Sequence, residues 1–91
     1  MIEREATIRN GQGIHCRPSA VILKEVKGYE GEITIASGHG EARLESVMSL
    51  LGLGLDRGCR ISIRVAGPEE EKMADKLVNL FEYDYDFPPR E

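Results

Sequence analysis

The stretch Gly11-Gln12-Gly13-Ile14-His15-Cys16-Arg17-Pro18-Ser19-Ala20 holds the residues best suited to chemistry. It leaves an alternating segment, turns on two glycines, presents a histidine, and enters a helical pattern through a proline in the first turn. The first backbone N–H groups of a helix lack intrahelical acceptors, and the aligned peptide dipoles leave partial positive charge there. Pro18 suits that first turn, where a missing N–H costs nothing. An imidazole nitrogen is nucleophilic near neutral pH, so His15 could accept and return a phosphoryl group without a metal. The carried phosphate could rest against the N–H groups that follow, with Arg17 adding a full positive charge. Taken alone, a histidine ahead of a helix is more often a surface or capping residue. The local pattern identifies an anion site without naming its reaction.

A second block, Glu45-Ser46-Val47-Met48-Ser49-Leu50-Leu51-Gly52-Leu53-Gly54-Leu55, sharpens the reading. Gly13 to Ala20 resembles the active-site signature of the HPr family, the histidine-containing phosphocarriers of the bacterial sugar phosphotransferase system. The second block resembles that family's regulatory-serine helix and the turn after it. The two lie at the family's separation, and the resemblance runs over roughly residues 2 to 83. It implies that His15 receives a phosphoryl group on Nδ1 from enzyme I and passes it to sugar-specific IIA proteins or domains. Arg17 would neutralise the transferring oxygens, and the backbone N–H groups of Cys16 and Arg17 would hold the carried phosphate. The resemblance also implies phosphorylation of Ser46 by an HPr kinase/phosphorylase, contact with a transcriptional regulator, and a docking surface at Val47, Met48 and Leu51. Glu45 departs from the pattern, since a basic residue commonly precedes that serine. The implied protein is a cytoplasmic monomer that needs no cofactor and acts as a carrier in a relay rather than as a stand-alone enzyme.

Composition sets bounds independently of any family. Ninety-one residues with 41% hydrophobic side chains suffice for one domain with an ordinary small core. No apolar run has the length of a membrane span, and charged residues follow Met1 almost at once, so neither membrane insertion nor a signal peptide is expected. The net charge of −4 is uneven. Residues 1 to 67 carry nine Lys/Arg against eight Asp/Glu, whereas residues 68 to 91 carry three against eight. The body is close to neutral and the acidity belongs to the last helix and tail. There is no basic stripe of the kind nucleic-acid binding requires.

The two cysteines are expected to be free thiols. Cys16 at a helix start beside Arg17 has its thiolate favoured, but without a resolving partner it reads as a small cap residue. Cys59 precedes a strand and should pack. His15, Cys16, His39 and Cys59 show none of the paired short spacings of a zinc site, so no metal is expected.

The elements that must position the site follow from periodicity. Ile2, Ala6 and Ile8 alternate with polar residues in a first strand, in which Arg4 breaks the apolar row. A helix over about Cys16 to Lys27 places Ser19, Ile22, Leu23 and Val26 on one stripe and ends at Gly28 in a left-handed cap. Glu32 to Ser37 forms a second strand with Ile33 and Ile35 inward. Gly38-His39-Gly40 turns into a short third strand, Glu41 to Leu44, with His39 solvated. Ser46 caps a short helix. Leu50, Leu53 and Leu55 are expected in the core, with Val47 and Met48 contributing to docking. Ile61, Ile63 and Val65 mark the fourth strand. Gly67-Pro68 stops it, and Glu69 to Glu71 suit the start of a long helix whose stripe is Met73, Ala74, Leu77, Val78 and Phe81.

The fold class is α+β: one mostly antiparallel four-stranded sheet with three helices on one face. This is similar to the HPr open-faced sandwich, whose resemblance implies that the fourth strand lies between the first and second. The resemblance implies a phosphocarrier domain over residues 1–83. The acidic, aromatic tail at 84–91 could pack back, bind a partner or fray, and fraying is the default. Two other functions stay open: an HPr-like module in carbon or nitrogen regulation that works by phosphorylation-dependent binding, and a small-molecule-binding α+β domain.

Overall fold

The computed structural model describes residues 1–11, 13, 14 and 16–83, with Cys16 described by its backbone alone. Seven elements follow in order: β1 (Ile2–Thr7), α1 (Cys16–Val26), β2 (Glu32–Ser37), β3 (Gly40–Arg43), α2 (Val47–Leu51), β4 (Arg60–Ala66) and α3 (Glu70–Glu82). The four strands form one sheet in the order β1-β4-β2-β3, and every pairing is antiparallel.

Alternation in β4 explains why it takes the centre. Ile61, Ile63 and Val65 are buried while Arg60, Ser62 and Arg64 point the other way. The register sets Ile61 opposite Ala6 and Ile63 opposite Ile35, so one sheet face is apolar across its centre. Against that face pack Ile22 and Val26 of α1, Leu50 of α2, and Ala74, Leu77 and Phe81 of α3. Met73, Val78 and Leu23 are only partly buried, because they stand at the margins of their helical stripes. The opposite face is polar, and there Arg64 lies between Glu3 at 3.5 Å and Glu41 at 3.4 Å.

Arg4 breaks the apolar row of β1 for a local reason. It faces the helical side opposite Ile63, at the sheet's edge, and its Nε donates to the Asp75 carboxylate on α3 at 3.2 Å. The stem covers apolar surface while the head reaches water. The edge is closed further along, where the Thr7 N–H donates to Glu82 Oε2 at 2.9 Å.

Two boundaries differ from the periodic reading. The third strand is Gly40–Arg43 rather than Glu41 to Leu44, because the Leu44 N–H turns to the Ile33 carbonyl and its side chain enters the core. At the start of α3, Glu69 takes a left-handed conformation (φ 48°) without a side-chain cap, so only Glu70 and Glu71 occupy the first turn.

Candidate functional site

Helix α1 opens at Cys16 and carries Arg17 and Pro18 in its first turn. Pro18 is buried against the body, whereas Arg17 is exposed and makes no ion pair with any described residue. A proline at this position sacrifices no helical hydrogen bond, and its burial fixes the rotation of the first turn about the helix axis. Gly28 terminates the segment after α1 at φ 86°, the left-handed geometry expected there.

The loop entering α1 is anchored by contacts that alternation could not reveal. Asn10 is fully buried; its Nδ2 donates to the Gly13 carbonyl at 2.6 Å, and the Gly13 N–H donates to the Asn10 carbonyl at 2.9 Å. The Ile14 N–H then donates to the Leu55 carbonyl at 2.7 Å, while the Ile14 side chain is buried. Gly13 has φ 74°, and a Cβ there would stand 2.5 Å from the Leu55 oxygen. Only glycine combines that conformation with so close a backbone approach. The segment is therefore fixed on both sides of position 15: by Ile14 on the Leu55 carbonyl, and by α1 from Cys16 onward.

His15, the Cys16 thiol and the tail at 84–91 lie outside the described residues. Of the other predicted residues, Arg17 stands on α1 and the second block includes α2, and these two helices pack against each other. Ser46 is the N-cap of α2, its Oγ accepting from the Ser49 N–H at 3.2 Å while the Ser46 N–H donates to Ser49 Oγ at 3.3 Å. This reciprocal capping satisfies donors that so short a helix could not satisfy itself. On α2, Met48 is 74% exposed, Val47 and Leu51 are half-buried, and Leu50 is in the core. An exposed methionine flanked by two half-buried aliphatic residues is an adaptable apolar surface.

His39 is exposed in the β2–β3 turn, its ring beside Gly54. Cys59 is a free, partly buried thiol packed on the core. No group of three or more His, Cys, Asp or Glu among the described residues is arranged to hold a metal. No described helix is long and apolar enough to cross a membrane.

Alternation along the first strand does not mark Asn10 as buried. Its signal was the Asn-Gly pair after an alternating segment, since asparagine commonly bonds to backbone a few residues on in a turn. Ser19 lies on the buried stripe that its spacing predicts; it is fully buried, and its hydroxyl has no hydrogen-bond partner among the described residues.

Comparison with known proteins accords with this arrangement. The family model described as the PTS HPr component phosphorylation site matches residues 2–83. The phosphocarrier protein HPr of Vibrio cholerae is 33% identical over 82 residues, covering 90% of this chain and 96% of that protein. The phosphocarrier protein NPr of Escherichia coli K12 is 29% identical over 86 residues, covering 93% and 96%. The crystal structure of HPr from Bacillus anthracis superposes with a TM-score of 0.82 over 89% of this chain and 96% of the other, at 20% identity, a likeness of fold. With its open-faced antiparallel sheet, its loop-to-helix entry and a family match over nearly the whole chain, the protein belongs to the HPr/NPr family of phosphotransferase-system phosphocarriers.

Proposed function

We propose that His15 is the phosphoryl acceptor, charged by enzyme I and discharged to IIA proteins or domains that serve sugar uptake. The observation that carries this reading is the position of Gly13 to Ala20: a loop anchored at Gly13 and Ile14 leads into the first turn of α1, where Arg17 is exposed and, among the described residues, without an ion-pair partner. On charging, the bond from phosphorus to its donor breaks as a bond to Nδ1 of His15 forms; on discharge, the bond from phosphorus to Nδ1 breaks as one to the acceptor forms, and in each step the group that leaves phosphorus keeps the electron pair. Such a transfer depends on positioning and charge stabilisation more than on covalent machinery, which suits so small a domain. Arg17 supplies a planar, permanently charged guanidinium for the phosphoryl oxygens, and the free N–H groups at Cys16 and Arg17 supply directed donors.

Val47, Met48 and Leu51 would form the apolar part of the docking surface beside this site. Ser46 would be the regulatory position. It is exposed at the start of α2, where added negative charge is compatible with the helix end and alters the face offered to partners. A monomer in the cytoplasm is the form in which we expect the carrier to work.

Incubation with phosphoenolpyruvate and enzyme I, followed by intact mass and phosphorus NMR, tests the central step. An acid-labile phosphate on the wild type that is absent from folded His15→Ala is the expected result. An unlabelled wild type, with a control HPr labelled in parallel, would shift the reading to a regulatory module. The similarity to NPr keeps a second branch of the same chemistry in view, and the identity of the donor that labels His15 separates the two.

A further inference from the structure

The Leu55 carbonyl is the seat of the loop that leads to position 15: it accepts from the Ile14 N–H at 2.7 Å, and Gly13 lies against it. That carbonyl belongs to residues 53–55, in the connection between α2 and β4. Toward α2, the Leu53 N–H donates to the Leu50 carbonyl at 3.0 Å. Toward β1, the Gly58 N–H donates to the Ile8 carbonyl at 2.7 Å and the Ile8 N–H to the Cys59 carbonyl at 2.9 Å. Between these attachments Gly54 has no side chain to pack and takes the left-handed φ of 61°. A glycine between two buried leucines is the point at which such a segment bends most freely.

The β2–β3 turn covers that point from outside. Ser37 ends β2, and its Oγ donates to the Leu53 carbonyl at 3.2 Å while accepting from the His39 N–H at 3.1 Å. One hydroxyl thus ties the turn to residue 53, using its donor and an acceptor together. With its backbone fixed by that bond, His39 lays its ring over Gly54: a Cβ at Gly54 would stand 3.2 Å from the ring's Cδ2 and 3.5 Å from Nε2. The imidazole therefore occupies the space that a side chain at position 54 would take. Ser37 is half-buried in this contact, and His39 keeps an exposed side.

We propose that Ser37 and His39 are positioning residues for phosphoryl acceptance: by pinning residues 53 and 54 they hold the Leu55 carbonyl where it receives Ile14, and so set the loop that presents His15. Both act through backbone after α2 rather than through the side chains of Val47, Met48 and Leu51, so their effect falls on the transfer step and not on docking. The bracing is a property of the fold and stands independently of the proposed function. Its effect on the reaction rests on that function.

NMR of the full chain tests the bracing without any phosphoryl transfer. The coupling across the hydrogen bond from the Ile14 N–H to the Leu55 carbonyl, and the protection of that amide against exchange, should both fall in Ser37→Ala and His39→Ala. Protection of the Ile63 amide in central β4 serves as the reference for global stability, and Ile14 should lose more than Ile63. Ser37→Thr, which keeps the hydroxyl, and His39→Phe, which keeps a ring over Gly54, should restore both signals. Ile14 unchanged relative to Ile63 in both alanine variants overturns the bracing, whatever the protein does with phosphate. With phosphorylated enzyme I, kcat for acceptance should fall by about three- to tenfold in each alanine variant, the worth of about one hydrogen bond, with KM unchanged and recovery in the Thr and Phe variants. A raised KM with unchanged kcat would make these residues docking contacts, and unchanged kinetics with a loosened Ile14 would detach the brace from the reaction; either overturns the positioning role. A wild type that enzyme I does not label, with Ile14 loosened in the variants, strikes the reading of His15 and leaves the brace in place.

Discussion

Asn10 and Gly13 hold each other through two hydrogen bonds, side chain to carbonyl at 2.6 Å and backbone N–H to carbonyl at 2.9 Å, with Asn10 wholly inside the protein. The pair closes the loop that leads to position 15. A buried bond whose loss strands its partner costs about 1–3 kcal/mol. Asn10→Ala should therefore lower stability in urea by about 2 kcal/mol. It should also slow phosphoryl acceptance, while the conservative Asn10→Asp, which loses the Nδ2 donor, should recover neither. A wild-type denaturation midpoint in Asn10→Ala would contradict the anchoring role.

Ser19 offers the opposite case. Its hydroxyl is buried on α1 with no partner among the described residues, and an unsatisfied buried hydroxyl costs about 1–3 kcal/mol on mutational scales. Ser19→Ala removes that burden and gains helix propensity, so it should stabilise the fold by about 1–2 kcal/mol. Calorimetry would register this as a rise in Tm, and a fall would show that the hydroxyl is satisfied in solution.

Neighbouring positions on α2 should separate docking from folding. Met48 is 74% exposed and Leu50 only 1%. Leu50→Ala is expected to cost about 2–5 kcal/mol through cavity formation. Met48→Ala should stay within about 0.5 kcal/mol of wild type yet raise the Kd for enzyme I. Denaturation and titration calorimetry on the two variants provide the comparison, and equal stability losses would place Met48 in the core.

Acid should weaken the junction between the N-terminus and α3. The Met1 ammonium lies 3.1 Å from Glu70, and the Gly67 N–H also donates to the Glu70 carboxylate. The bond from the N-terminus, then that from Gly67, holds the Glu70 carboxyl below its ordinary value of 4.5. A carboxyl depressed by folding contributes stability fully above its unfolded pKa, and the contribution disappears as pH falls through the folded one. Glu70→Gln should therefore flatten the loss of stability below about pH 4.5, measured by urea unfolding across pH. An unchanged acid slope would remove Glu70 from the account.

What the sequence determined by itself was local and periodic. Ile61, Ile63 and Val65 announce β4, Ala74, Leu77 and Phe81 announce the buried stripe of α3, and Ser46 announces the start of α2, because each signal repeats or caps within one element. The proposal of an anion site at the start of α1 rests on the same kind of local signal. Tertiary structure decided what depends on contacts between distant residues. The insertion of β4 between β1 and β2 came from resemblance rather than from alternation, since period two says which face is buried but not which strand is the neighbour. That Gly13 must lie against the Leu55 carbonyl, that Asn10 is buried, and that Met48 is exposed while Leu50 is not, follow from how the loop and two helices meet over the sheet. Those contacts join separate elements, so no window of sequence contains them.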